Sequence, residues 1–343
     1  MKESVEISVN DLPEKRNKAV LWRNLAFALG IGVFTFMVYK IGLNIIWDNI
    51  KQTGWWFFAI IGVWGLVYIV NATAWYSIIR SGSKSPVPFK SVLKYTVSGY
   101  ALNYVTPFGL AGGEPYRIME LRRYTDTESA TASVILYAMM HVCSHFFFWL
   151  TAVVLIAWFV PVSLGISLVL TGIVVACLFL IFLFFRGYRD GLVVKLFRIL
   201  GRFPIIGKKI EKLSPQTRER LALIDNEIRN LHGNRIKTFY FALFMEYLAR
   251  LISCVEILLI VKALGQDANY VQALIIVALS SLFANILFFS PMQLGTREGG
   301  LFLAFKTIGL IPEMSISVSM ITRIRELFWI MIGVLIMKIN FRR

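Results

Sequence analysis

Apolar residues along this chain run on for lengths close to the ~20 residues that a helix needs to cross a ~30 Å bilayer core. Six stretches have that character: Val20 to Ile41, Trp55 to Ile79, Ser129 to Val160, Ser163 to Phe185, Thr238 to Ala263 and Met314 to Lys338. Each is predicted to be a transmembrane helix. Trp22, Trp47, Trp55, Trp56 and Trp158 fall near their ends, where indole rings anchor a span at the interface. Two further stretches, Phe89 to Arg123 and Val271 to Ile311, are broken by Pro, Gly and a carboxylate, and they are predicted to be re-entrant helical hairpins. The expected fold class is all-α: a polytopic membrane protein of about six full transmembrane helices plus two re-entrant hairpins.

The hairpin reading rests on parity against the positive-inside rule. With Lys15, Arg16 and Lys18 inside, Arg80, Lys84, Lys90 and Lys94 return to the inside. A full crossing at 89–111 would then put Arg117, Arg122, Arg123 and the basic loop outside, although that loop holds thirteen Lys/Arg against five Asp/Glu. A hairpin that enters and leaves on the inner face removes the conflict, and a second one opening outward puts Lys338, Arg342 and Arg343 inside. The expected organisation is a cytoplasmic tail at 1–19, a first membrane half at 20–185 containing hairpin 89–123, a basic cytoplasmic loop at 186–237, and a second half at 238–343 containing hairpin 271–311. Backbone at membrane depth must be satisfied by protein or by water in a cavity, so re-entrant segments imply a polar cavity.

Composition agrees: 57% of the 343 residues are hydrophobic, 16% are charged, and mean hydropathy is +0.67. The formal charge of +16 would suggest nucleic acid in a soluble chain, but here it points to inside-facing loops and anionic headgroups. No nucleic-acid partner is expected. Cys143, Cys177 and Cys254 lie in apolar runs without a CxxC pair, so neither disulfide nor zinc is indicated, and the N-terminus carries no pattern of a cleaved signal peptide. In the basic loop, Pro215 opens a segment with Leu221, Ile224, Ile228 and Leu231 at helical spacing, which predicts an interfacial amphipathic helix. Lys208, Lys209 and Lys212 just before it would face headgroups.

The two hairpins repeat one another. Ser98 and Asn103 are followed by Pro107 and Glu114, and Ser280 and Asn285 by Pro291 and Glu298, so both share Ser-x4-Asn and Pro-x6-Glu with a two-residue insertion between them. Three predicted spans separate the hairpins, which gives the repeat an inverted topology, a recurring plan of secondary transporters with a site near the midplane.

Pro107 and Pro291 break the helix, while Gly109, Gly112, Gly113, Gly295, Gly299 and Gly300 permit tight turns and close approach. Beside them stand Glu114 with Arg117, and Arg297 with Glu298. Intramembrane ionisable residues mark a pathway or an internal pair; a functional role is favoured because each charge falls within a Gly/Pro break, and the alternative is a mutual lock that holds each turn. Arg250 and Arg323 are the next expected headgroup contacts, because arginine grips phosphate in a fork; a salt bridge of Glu246 with Arg250 is the alternative. Asn103 and Asn285 would bond hairpin backbone or headgroup. His141 and His145 share a helix face without an adjoining carboxylate, so cavity lining or packing is favoured over metal binding. No Walker A motif, GxSxG triad or large extramembrane domain is present, and no cofactor, metal site or catalytic residue is expected.

The stretch Pro-Phe-Gly-Leu-Ala-Gly-Gly-Glu-Pro-Tyr-Arg at 107–117 and Pro-Met-Gln-Leu-Gly-Thr-Arg-Glu-Gly-Gly at 291–300 resemble the flippase-like transmembrane domain of lysylphosphatidylglycerol synthases and its stand-alone relatives. The resemblance covers nearly the whole chain in span pattern, and its specific motifs lie in the hairpins. It implies translocation of a lipid between leaflets. Full-length synthases carry a soluble aminoacyl-transferase domain after the membrane region, whereas this sequence stops at Arg343, so aminoacyl transfer is not expected.

The resulting expectation is an inner-membrane lipid flippase with cytoplasmic termini. It would pass an anionic phospholipid or polyprenyl-phosphate-type lipid through a central cavity lined by Glu114, Arg117, Arg297 and Glu298. An enzyme acting on a lipid-linked substrate and a non-catalytic membrane partner are the alternatives, and assembly as a homo-oligomer is left open.

Overall fold

A computed structural model describes residues 42–82, 87–105, 112–161, 163–190, 215–286 and 295–339, with a few isolated positions before residue 42. Among these residues there are eleven helices and no strand: α1 Leu43–Thr53, α2 Trp56–Gly82, α3 Phe89–Val105, α4 Gly113–Leu121, α5 Thr127–Phe159, α6 Leu164–Asp190, α7 Pro215–Asn234, α8 Ile236–Ala263, α9 Tyr270–Ile286, α10 Thr296–Thr307 and α11 Met314–Ile336. The predicted span at Val20 to Ile41, the tail at 1–19, the hairpin tips with Pro107, Gly109 and Pro291, and Lys208, Lys209 and Lys212 lie outside the described residues.

Helices α2, α5 and α6 are long and apolar enough to cross a membrane. The predicted spans at Thr238 to Ala263 and Met314 to Lys338 correspond to α8 and α11, which have spanning length but carry buried charge: Glu246 and Glu256 on α8, and Arg323, Arg325 and Glu326 on α11. Helix α6 presents Leu168, Val175, Phe179 and Phe182 outward, the surface expected of a lipid-facing helix. The helix expected in the basic loop from Pro215 appears as α7, which buries Ile224 and Ile228 against the bundle.

The broken stretches form helix pairs. α4 has 9 residues and α10 has 12, lengths of about 13 and about 18 Å that fall short of a bilayer core. α4 folds back along α3 with Gly113 pressed on Gly99: a Cβ on Gly113 would meet the Gly99 carbonyl oxygen at 2.2 Å. α10 returns along α9 with Gly300 against the Ser280 backbone, where a Cβ would come within 3.0 Å of Cα.

Packing follows the repeat. Helices α2 and α8, which precede the two hairpins, lie side by side and run antiparallel, since Trp64 donates from Nε1 to Glu256 (2.7 Å) while Lys262 sits over Trp56. Helix α3 of the first hairpin packs antiparallel on α11, the helix after the second hairpin: Ser98 Oγ donates to the Gly333 carbonyl at 2.8 Å, and Lys94 reaches the Ile339 carbonyl. The matching contact joins α9 of the second hairpin to α5, the helix after the first, where Trp149 Nε1 donates to Ser281 Oγ at 2.9 Å. Each half thus embraces the other's hairpin, and the antiparallel α2 and α8 give the halves opposite orientation.

Candidate functional site

Helix α3 carries the residues that join the two halves. Asn103, near its end, accepts the Gly113 N–H at 2.8 Å, which satisfies one of the free donors at the α4 N-terminus. Arg117, one turn into α4, is 1% exposed. It forks onto Glu114 with both Nη1 contacts at 3.1 Å, donates to the Thr96 carbonyl, and lies among the rings of Tyr100, Tyr137 and Trp75. Gly99 makes this fit, because a Cβ there would stand 2.4 Å from Arg117 Nε. In the first hairpin the acid and base therefore hold each other, and Arg117 is enclosed by protein.

The second hairpin behaves differently. Arg297 and Glu298 are adjacent at the start of α10, yet each pairs with α11. Arg297 Nη1 bonds Glu326 at 2.5 Å, whereas Glu298 accepts from Arg323 Nη2 at 2.6 Å, from Ser319 Oγ at 2.7 Å and from the Gly295 N–H at 2.8 Å. The last bond closes the first turn of α10 behind Gly295, whose φ of +80° is the left-handed conformation that favours glycine. Gly299 faces open space. Asn285 bonds the Ser281 carbonyl of its own helix, so the repeated asparagine does not do in α9 what Asn103 does in α3.

Glu326 extends the network. Tyr104, one turn beyond Tyr100 on α3, donates to it at 2.5 Å and accepts from Arg297 Nη2 at 3.2 Å. Next along α11, Arg325 pairs with Glu256 at 2.8 Å and stacks on Trp64, 3.8 Å from the ring centroid. Tyr104 and Trp64 were not singled out from sequence, whereas Glu256, Arg325 and Glu326 stand out there as intramembrane charges that could line a site. The usable signal was that each intramembrane acid, Glu256 and Glu326 included, must have a partner.

A ladder of rings leads from this network across the bundle: Trp64, Tyr68, Tyr100, His141, His145 and Trp149, with successive centroids 5.4 to 5.9 Å apart. Midway, His141 Nδ1 meets Glu246 at 2.8 Å and Tyr100 Oη at 3.2 Å. The i,i+4 pair of Glu246 with Arg250 does not form. Arg250 instead donates from Nε to Ser144 Oγ and from Nη2 to the His141 carbonyl, both at 2.7 Å. Among the described residues no three His, Cys, Asp or Glu gather as metal ligands.

Opposed halves, broken helices and ion pairs inside an apolar bundle define a polytopic α-helical membrane protein with a charged core shared between two repeats. The sequence matches the family described as the lysylphosphatidylglycerol synthase TM region over residues 24–333, and the chain belongs to that family. The resemblance carried by the hairpin motifs is thereby borne out. A UPF0104 membrane protein of Methanothermobacter thermautotrophicus is 21% identical over 312 residues, covering 89% of this chain and 91% of that relative. No solved structure matches. Family membership makes this a membrane protein and points to a lipid-related role.

Proposed function

We propose that the protein is a lipid transporter, not an enzyme, which moves an anionic or headgroup-modified phospholipid, or a polyprenyl-phosphate-type lipid, between leaflets of the inner membrane. Both termini would be cytoplasmic, and the two hairpins would be re-entrant from opposite faces. The observation that carries this reading is the meeting of the two hairpins at Tyr104, Arg297 and Glu326. Inverted halves can expose one central site alternately to each side, and a polar junction between two broken helices is where such a path would close. The acyl chains would stay in the bilayer while the headgroup passes the charged core. The shortness of α4 and α10 and the mutual embrace of the halves favour this reading over that of a scaffold. In proteoliposomes containing fluorescent phospholipids, chemical quenching from outside should reach the inner-leaflet pool faster with the protein than without it. A rate equal to that of protein-free vesicles for both phospholipids and polyprenyl phosphates would overturn the proposal.

A further inference from the structure

Among the described residues five arginines lie inside the bundle, and four of them are ion-paired: Arg117 with Glu114, Arg297 with Glu326, Arg323 with Glu298 and Arg325 with Glu256. Among the described residues Arg250 has no carboxylate partner. Its two hydrogen bonds, to Ser144 Oγ and to the His141 carbonyl, go to neutral oxygens and use two of the five N–H groups of a guanidinium. The nearest acid on its own helix, Glu246, is turned to His141. Glu246 acts on Arg250 through space but makes no contact ion pair with it, and an arginine kept in a bilayer without such a partner is by default functional.

Its surroundings also lack partners. Nδ1 of His145, next to the Ser144 that orients Arg250, is buried without a hydrogen bond, and it lies close enough to feel the Arg250 charge. Ser144 is near the middle of α5 and Arg250 near the middle of α8, so the group sits at mid-membrane depth. It also lies between the hairpins: Tyr100 of α3 reaches His141 one turn before His145, and Trp149 one turn after it holds Ser281 of α9.

We propose that Arg250, with His145 and Ser144, is the phosphate-binding station of the pathway, taking the phosphate ester shared by anionic glycerophospholipids and polyprenyl phosphates halfway across the bilayer. The guanidinium fork matches two phosphate oxygens, Ser144 and the His141 carbonyl fix the orientation of that fork, and His145 supplies a further hydrogen bond through Nδ1. The other four arginines hold the helices in place. This assignment rests on the transport reading for its place in a pathway, but the binding site can be tested separately.

Binding to the purified protein in detergent is measured with three probes: dihexanoyl phosphatidic acid, dihexanoylglycerol, which lacks the phosphate, and inorganic phosphate. The phosphatidic acid should bind and raise the unfolding temperature, the diacylglycerol should do neither, and Arg250→Gln should weaken phosphatidic acid binding at least tenfold. Arg250→Lys, which keeps the charge and loses the fork, should fall between the two. If Arg250→Gln does not fold, Ser144→Ala serves instead and should weaken binding several-fold. Unchanged affinity in the folded variant, or equal binding of the diacylglycerol, would overturn the site, and binding of inorganic phosphate alone would overturn the lipid assignment. A protein that binds phosphatidic acid through Arg250 yet moves no lipid would refute transport and leave the site standing. One that moves lipid while Arg250→Gln binds normally would refute the site alone.

Discussion

Nη2 of Arg297, at the head of α10, donates to the hydroxyl of Tyr104 at the end of α3 across 3.2 Å. These residues are 193 positions apart and belong to different hairpins, and both bond Glu326. A tyrosine here does what phenylalanine cannot: it passes a hydrogen bond between a cation and an anion in a low-dielectric interior, where charged partners make hydrogen bonds worth about 2 kcal/mol. Tyr104→Phe keeps the ring and removes the bond. It should lower stability by about that amount, seen as a lower unfolding temperature of the purified protein.

Arg325 and Glu256 offer a test of the ion pairs as structure. Glu256→Leu leaves the buried Arg325 with only its longer 3.7 Å contact to Glu326, which Arg297 already holds, and should cost about 3–5 kcal/mol, while the double variant with Arg325→Leu should recover most of that loss. Denaturation of the wild type, both single variants and the double gives the coupling energy. Additive losses would mean that the pair contributes nothing as a pair.

Glycines of the two hairpins should respond in opposite ways. Gly113→Ala drives a methyl group into the Gly99 backbone, where the gap is 2.2 Å, and overpacking of that kind costs about 1–3 kcal/mol. Gly299→Ala meets nothing within 4 Å inside a helix, so it should be neutral or stabilising by up to about 1 kcal/mol. Thermal unfolding of the two variants side by side checks the difference.

The re-entrant reading fixes which side of the membrane each hairpin opens to. In a background with Cys143, Cys177 and Cys254 replaced, a single cysteine beside Arg122 should react with an impermeant thiol reagent from the inside, and one beside Glu313 from the outside. Labelling of the Arg122 position from outside would turn α3 and α4 into part of a full crossing and remove the inversion of the halves about the hairpins.

Much of this architecture was legible in the chain. Runs of spanning length gave α2, α5 and α6, and Pro, Gly and Glu marked the breaks that part α3 from α4 and α9 from α10. The spacing of Ser, Asn, Pro and Glu exposed the repeat. Partners were not legible, because they depend on which helices touch. Adjacency suggested that Arg297 would pair with Glu298, yet successive residues of a helix point apart, and each reaches a different residue of α11. Trp64 and Glu256 meet across 192 positions, a contact that needs α2 and α8 to lie antiparallel. The repeated Asn misled in part, since Asn103 caps α4 while Asn285 bonds within α9.

If the hairpins must part for a headgroup to pass, tying them together should stop passage reversibly. Tyr104→Cys with Arg297→Cys, in the background without native cysteines, can be joined by a short cleavable bifunctional thiol reagent and reconstituted with fluorescent lipid. Lipid movement between leaflets should fall to the protein-free rate in the joined state and return once the linker is cleaved. An identical rate in both states, whether fast or no faster than in empty vesicles, would contradict passage of lipid between the two hairpins.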